Sequence, residues 1–88
     1  MSTTIILHET YESRRLHSNY VRQGQPPNIT THVQATADVE PDVGVKRLHD
    51  SGRPDAWVDG NGNIHAGAGA PDSNTLAVLV RIAEGGGV

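Results

Sequence analysis

Two segments in the first half of the chain have the hydrophobic patterns of β-strands. Residues 3–11 are rich in β-branched side chains, and the consecutive Ile5, Ile6 and Leu7 indicate burial on both faces. Residues 29–37 alternate instead, which is typical of a strand with one buried face. The core side of this second strand is predicted to consist of Ile29, Thr31, Val33, Ala35 and Ala37, and the other side of Thr30, His32, Gln34 and Thr36.

A β-hairpin is predicted over residues 56–66. Two short stretches with apolar side chains, 56–58 and 63–66, flank a centre that is rich in Gly and Asn. Asp-Gly and Asn-Gly pairs supply the positive φ angles that a tight hairpin requires. The predicted turn consists of Asp59, Gly60, Asn61, Gly62 and Asn63.

The C-terminal segment 75–84 fits two kinds of element. As a strand it places Leu76, Val78, Val80 and Ile82 on one face, and as a helix it groups Leu76, Leu79, Val80 and Ala83. Helix-capping residues stand at both ends, because Asp72-Ser73-Asn74 precedes the segment and Gly85 follows it. These caps favour the helix, whereas the β-branched side chains favour the strand.

The segments between these elements are predicted to be connections. Residues 38–44 are acidic and contain Pro41, which indicates a loop or an edge strand. Residues 45–55 begin apolar and end in the turn cluster Ser51-Gly52-Arg53-Pro54. Residues 12–19 fit a short helix or a turn, Pro26 and Pro27 interrupt 23–28, and 67–74 has the composition of a flexible linker.

Together these elements predict one small domain over residues 1–88, with extended arms at 12–28 and 67–74. The expected fold class is mainly β or α+β. It comprises a small antiparallel sheet or sandwich, the 56–66 hairpin and a C-terminal segment, 75–84. This segment forms a short helix if its capping residues outweigh its β-branched side chains.

Composition indicates a small hydrophobic core. Hydrophobic residues make up 35% of the 88 residues, and the chain has one Trp, two Tyr and no Phe. Small domains usually compensate with disulfides, a metal or a partner. The absence of Cys removes disulfides and thiolate zinc ligands. A protein partner, as a homo-oligomer or a larger assembly such as a capsid, is therefore the expected support.

Charge and hydropathy exclude several other partners. The net charge of −3 and a pI of about 5.9 are unlike those of nucleic-acid-binding domains. No apolar run approaches the ~18 residues that a membrane span requires. The N-terminus lacks the pattern of a secretory signal peptide. We therefore expect neither a nucleic-acid nor a membrane partner, and a location in a virion or in the cytoplasm of a bacterial host.

The predicted turn at 59–63 also raises the question of a metal or phosphate site. Asp59, Asn61 and Asn63 match the first, third and fifth ligands of a calcium loop, but the sixth and twelfth positions are Ile64 and Ala70 instead of Gly and Glu. The Gly-Lys-Ser/Thr of a phosphate-binding loop is absent. The segment is therefore interpreted as a turn, and no cofactor or metal is expected.

The chain has five histidines: His8, His17, His32, His49 and His65. No pair has the spacing of two metal ligands on one helix face. Three of them, His8, His32 and His65, lie in predicted strands and can meet on one face of a sheet. If they line a contact, that contact is expected to depend on pH.

No catalytic motif is present, which argues against an enzyme. A Gly-x-Ser-x-Gly nucleophile motif is missing, and Ser51 lies beside His49 and Asp50 only along the chain. Aromatic and Arg side chains are the residues that protein interfaces favour. The predicted interface residues are Trp57, Tyr11, Tyr20, Arg14, Arg15 and Arg22. For Trp57, the largest apolar side chain of the chain, the centre of the small core is the alternative position.

These observations favour a non-enzymatic structural or assembly protein that acts through protein–protein contacts. Its expected form is a small bacteriophage virion component, such as a capsid decoration or cementing protein or a minor structural subunit. One alternative is a small phage-encoded inhibitor or adaptor that binds one host protein, with Asp38, Glu40 and Asp42 imitating an anionic ligand. A small metal-dependent or hydrolytic enzyme is the third hypothesis.

Overall fold

A computed structural model describes residues 2–9, 32–67 and 69–86 of the chain. Within these residues four strands and two helices follow one another in the order β1–β2–α1–β3–β4–α2. The strands form one open sheet in the order β2-β1-β4-β3. The elements are β1 (Thr3–His8), β2 (His32–Ala37), α1 (Pro41–Asp50), β3 (Trp57–Val58), β4 (Ile64–Gly67) and α2 (Ser73–Ala83).

The fold is a small α+β domain, as predicted, but its sheet is mixed and not purely antiparallel. β1 pairs antiparallel with β2 and parallel with β4, and β3 pairs antiparallel with β4. The parallel pair follows from α1, which lies between β2 and β3 and returns the chain to the sheet in the direction of β2. The hairpin then reverses the chain, so that β4 runs parallel to β1. Crossover connections of this kind allow parallel pairing.

The strand predictions are confirmed over Thr3–His8 and His32–Ala37, whereas Glu9 lies beyond the end of β1, and residues 10 and 11 of the first predicted strand lie outside the described residues. In β1, Ile5 and Leu7 are fully buried and Ile6 is half-buried. In β2, exposure alternates residue by residue, with Val33, Ala35 and Ala37 on the more buried side. The predicted residues 29–31 lie outside the described part of the chain, as do the arm at 12–28 and the segment 12–19.

The hairpin is confirmed, and its turn is closed by main-chain hydrogen bonds. The amide of Asp59 donates to the carbonyl of Asn63 over 2.9 Å, and the amide of Gly62 donates to the carbonyl of Asp59 over 3.2 Å. Gly62 has a φ of 83°, the left-handed conformation that Asn-Gly sequences favour.

Helix α1 corrects the prediction of a loop or edge strand at 38–44. Pro41 occupies the first turn of the helix instead of ending an element, and Asp42 lies in the same turn. Proline fits there because the first helical amides have no partner within the helix, and an acidic residue interacts favourably with the helix N-terminus. The β-branched Val43 and Val45 and the intervening Gly44 concealed this helix in the sequence pattern.

The C-terminal segment, which fitted a strand or a helix, is the helix α2, as its capping residues indicated. The Asp72 carboxylate accepts a hydrogen bond from the Thr75 amide over 2.6 Å at the N-terminus. At the other end the Gly85 amide donates to the carbonyl of Ile82 over 3.0 Å. Because Gly67 belongs to β4 and Ser73 begins α2, the connection between them is shorter than the linker predicted over 67–74.

The hydrophobic core lies between one face of the sheet and the two helices. Arg47 of α1 joins the helices, because its guanidinium donates to the carbonyl of Ala83 in α2 over 3.0 Å. By the pairing register, the core residues that belong to the described strands all lie on this one face of the sheet. The buried core residues are Ile5, Leu7, Ala37, Val39, Leu48, Ala56, Ile64, Ala66, Leu76, Leu79 and Ala83.

Candidate functional site: a histidine pair with an aspartate and a tryptophan

The sheet face opposite the helices carries a row of rings that crosses all four strands. The pairing register places His8 opposite His32, and Trp57 opposite His65. β1 and β4 are neighbours, so the row runs from His32 through His8 and His65 to Trp57. His8, His32 and His65 thus share one sheet face, an arrangement that the sequence left open.

His8 and His65 are joined by a short hydrogen bond. Nε2 of His8 lies 2.7 Å from Nδ1 of His65, and the two rings are nearly parallel, with an interplanar angle of 2°. The ring centroids are 5.0 Å apart. Because the lone pair of an imidazole nitrogen lies in the ring plane, this bond holds the rings edge to edge. His8 is 2% exposed and His65 is 8% exposed, so the bond is shielded from water.

Asp59 anchors the other end of the pair. Its Oδ2 lies 2.7 Å from Nε2 of His65, on the far side of that ring from His8. The carboxylate also accepts hydrogen bonds from the Asn61 amide at 2.8 Å, the Asn63 amide at 3.0 Å and the Asn63 side chain at 3.2 Å. The turn therefore holds Asp59 in place and directs its carboxylate at His65.

These contacts determine the charge of Asp59. Burial of the carboxyl raises its pKa, but the hydrogen bonds from His65, Asn63 and Asn61 outweigh burial and lower the pKa from 3.8 to about 2. A carboxylate that accepts several hydrogen bonds is stabilised in its charged form. Asp59 is therefore an anion at neutral pH and can only accept hydrogen bonds.

The anion in turn fixes the hydrogen positions on both neutral rings. Since Asp59 only accepts, Nε2 of His65 must carry a hydrogen. A neutral imidazole has one donor and one acceptor nitrogen, so Nδ1 of His65 accepts. Nε2 of His8 must then donate to it, which leaves Nδ1 of a neutral His8 as an acceptor.

Trp57 stacks on this pair. Its ring centroid lies 4.9 Å from that of His65 and 6.0 Å from that of His8, with interplanar angles of 16° and 13°. Distances and angles of this size are typical of offset stacking. Trp57 is only half-buried, and it is the sole Trp of the chain. Its fluorescence therefore reports on this site alone.

The other two histidines among the described residues, His32 and His49, differ in their surroundings, and His17 lies outside the described residues. The His32 ring lies 6.2 Å from that of His8 and is tilted by 45°, at the exposed end of the row. His49 in α1 donates from Nε2 to the carbonyl of Ala56 over 2.7 Å, away from the row. Among the described residues, no group of three or more His, Asp or Glu is placed to hold a metal ion.

The structure gives the predicted site residues unequal roles. The residues 59–63 form the predicted turn, but Asp59 has the additional role of binding His65, which the sequence analysis missed. The one signal in the sequence for this contact was that Asp59 and His65 stand six positions apart, on the two sides of a predicted tight turn. Of the predicted interface residues, Trp57 lies on the ring-bearing face. The others, Tyr11, Tyr20, Arg14, Arg15 and Arg22, lie outside the described residues.

Comparison with known proteins adds no further assignment. No protein-family model, curated protein or solved structure matches the chain. In the part of the chain that the structure describes, neither helix is long and apolar enough to cross a membrane.

Proposed function

We propose that the chain is a non-enzymatic protein that works through protein–protein contacts, as a subunit of a homo-oligomer or of a larger assembly. The observation that carries this proposal is the position of Trp57. The chain has a single Trp and no Phe, yet this largest apolar side chain lies on the sheet face opposite the helices. Trp is the residue type most enriched among the energetic centres of protein interfaces.

The surroundings of Trp57 support a contact role. Its ring is stacked on His65, whose position is fixed by Asp59, so Trp57 is held in one orientation. A rigid aromatic ring loses little conformational entropy when a partner covers it. The half-buried ring therefore offers apolar area that is already ordered for binding.

A catalytic role for the histidine pair has less support. A general base must come within hydrogen-bonding distance of the proton that it removes from the substrate. His8 and His65 are only 2% and 8% exposed. Their short hydrogen bond joins them to each other.

The form of assembly that composition favours is a bacteriophage virion, in which the chain would serve as a decoration protein or a minor structural subunit. A small phage-encoded inhibitor or adaptor of one host protein is the alternative form of a contact function. Both use the same kind of surface, and they differ in whether the chain associates with itself.

The experiment is a measurement of molar mass by light scattering, together with thermal unfolding, across a wide range of protein concentration. A self-associating subunit is expected to show a mass above that of the monomer and a melting temperature that rises with concentration. A monomer at every concentration, with a melting temperature that does not depend on concentration, would contradict self-association and favour the inhibitor or adaptor.

A further inference from the structure

The chain of hydrogen bonds from Asp59 through His65 to His8 has few arrangements of its hydrogens. With both rings neutral, the Asp59 anion accepts from His65, and Nδ1 of His65 accepts from Nε2 of His8. The hydrogen between the two rings then belongs to His8. The question is what one additional proton does to this arrangement.

We infer that the Asp59–His65–His8 chain is a one-proton switch, in which a single proton taken up by the histidine pair converts Nδ1 of His8 from a hydrogen-bond acceptor into a donor. This is a pH-sensitive device built into the sheet, and it stands independently of the proposed contact function.

The conversion takes place whichever ring holds the charge. If His65 is the cation, both of its nitrogens donate, so Nε2 of His8 must accept and the hydrogen of the neutral His8 moves to Nδ1. If His8 is the cation, both of its nitrogens carry hydrogens while Nδ1 of His65 still accepts. The two cases differ only in the position of one hydrogen between nitrogens 2.7 Å apart. Nδ1 of His8 carries a hydrogen in both.

The surroundings of the pair support a single positive charge. The Asp59 anion bonds directly to His65, and the face of the Trp57 ring lies within 6.0 Å of both imidazole centroids. An anion and an aromatic face both stabilise a cation at these distances, whereas burial opposes it. Two further titratable side chains lie near the pair: His32 on β2, 6.2 Å from His8, and Asp55, whose carboxylate accepts from the amide of Gly67, the β4 residue that pairs with His8.

A second proton has the opposite effect on the structure. With both rings charged, the two facing nitrogens each carry a hydrogen, so neither can accept and the bond between the rings is lost. Two like charges at this distance also repel each other. The pair is therefore expected to take up its first proton intact and to separate on the second.

The experiment uses the full chain labelled with ¹⁵N in its histidine rings, with NMR spectra that correlate ring nitrogens and carbon-bound hydrogens from pH 8 to pH 4. The nitrogen shifts identify the hydrogen-bearing nitrogen of each ring. At high pH, His8 and His65 are both expected to carry hydrogen on Nε2. On acidification, Nδ1 of His8 is expected to gain a hydrogen when the pair binds its first proton, whichever of the two rings carries the charge.

Two variants complete the test. Asp59→Asn removes the negative charge and one of the two acceptor oxygens beside His65, so the pair is expected to take up its first proton at lower pH. His49→Gln removes a histidine outside the row and is expected to leave the conversion unchanged. The inference is overturned if His8 carries its hydrogen on Nδ1 at high pH, if the first proton bound by the pair leaves Nδ1 of His8 without a hydrogen, or if Asp59→Asn leaves the conversion where it was.

Discussion

Replacement of Asp59 by Asn tests whether the carboxylate in the turn stabilises the fold by its charge. The variant keeps the size of the side chain and an oxygen that can accept from the Asn61 and Asn63 amides, but an NH₂ group replaces Oδ2, which accepts from His65 and from the Asn63 side chain. It loses the negative charge beside His65. The difference in stability between the two proteins therefore measures the charge together with the two hydrogen bonds that Oδ2 accepts, and its pH dependence reports on the charge.

The shift in the pKa of Asp59 gives the magnitude. A fall from 3.8 to about 2 corresponds to roughly 2 kcal/mol of stabilisation of the charged form. The side chain is 26% exposed, and water screens part of this. We expect Asp59→Asn to lower the free energy of unfolding by about 1–2 kcal/mol at pH 7.

The same shift determines the pH dependence. The pKa of Asp59 is lower in the folded protein than its ordinary value of 3.8, so the stabilisation is complete at pH values above this. It is lost as the pH falls toward about 2, where the folded protein binds the proton as well.

The assay is urea unfolding of wild type and variant, followed by Trp57 fluorescence and circular dichroism between pH 7 and the lowest pH at which both proteins fold. The matched control is Asp50→Asn, which removes an exposed carboxylate paired with Lys46 on the surface of α1. Exposed pairs of this kind contribute only about 0.3–0.5 kcal/mol. The reasoning is refuted if Asp59→Asn costs no more than the control at pH 7, or if its cost does not shrink as the pH falls.

Two further predictions concern the packing of the helices. Gly44→Ala is expected to destabilise the fold by about 1–3 kcal/mol in urea unfolding, because the added Cβ would lie 2.7 Å from Cδ1 of Ile64. The control Gly60→Ala should cost much less, because nothing lies within 4 Å of its added Cβ. Equal costs of the two variants would contradict this packing. Arg47→Ala removes the hydrogen bond to the Ala83 carbonyl and is expected to lower the free energy of unfolding by about 1 kcal/mol. It is also expected to speed hydrogen exchange of the amides of residues 84–86. Unchanged exchange at these amides would contradict the contact.

The parts of the fold that the sequence predicted are those decided by local chemistry. Asn61-Gly62 demanded a tight turn, Asp72 and Gly85 marked the ends of a helix, and the alternation of β2 identified its buried side. Each of these signals acts within a few residues, so no knowledge of distant contacts was required.

The parts that were missed depend on contacts between distant residues. Pro41 was interpreted as a break, because its role at the start of α1 became visible only with the helix in place. The pairing of β1 with β4 depends on where α1 returns the chain to the sheet, which no local pattern encodes.

The candidate site shows the same division. That three histidines can share a face followed from their places in predicted strands. Which of them touch depends on the strand order β2-β1-β4-β3 and on its register, which place His8 beside His65. The bond between Asp59 and His65 depends in addition on the closed hairpin turn.

The most direct test of the proposed function is the molar mass of Trp57→Ala, measured by light scattering at a concentration where the wild-type protein associates. Circular dichroism establishes whether the variant folds, and Val78→Ser serves as control because Val78 is an exposed apolar residue of α2. We predict that Trp57→Ala is a folded monomer and that Val78→Ser associates like the wild type. A Trp57→Ala variant that associates normally would show that Trp57 is not required for the contact. A variant that fails to fold would show that Trp57 stabilises the fold. Either result would contradict the proposal.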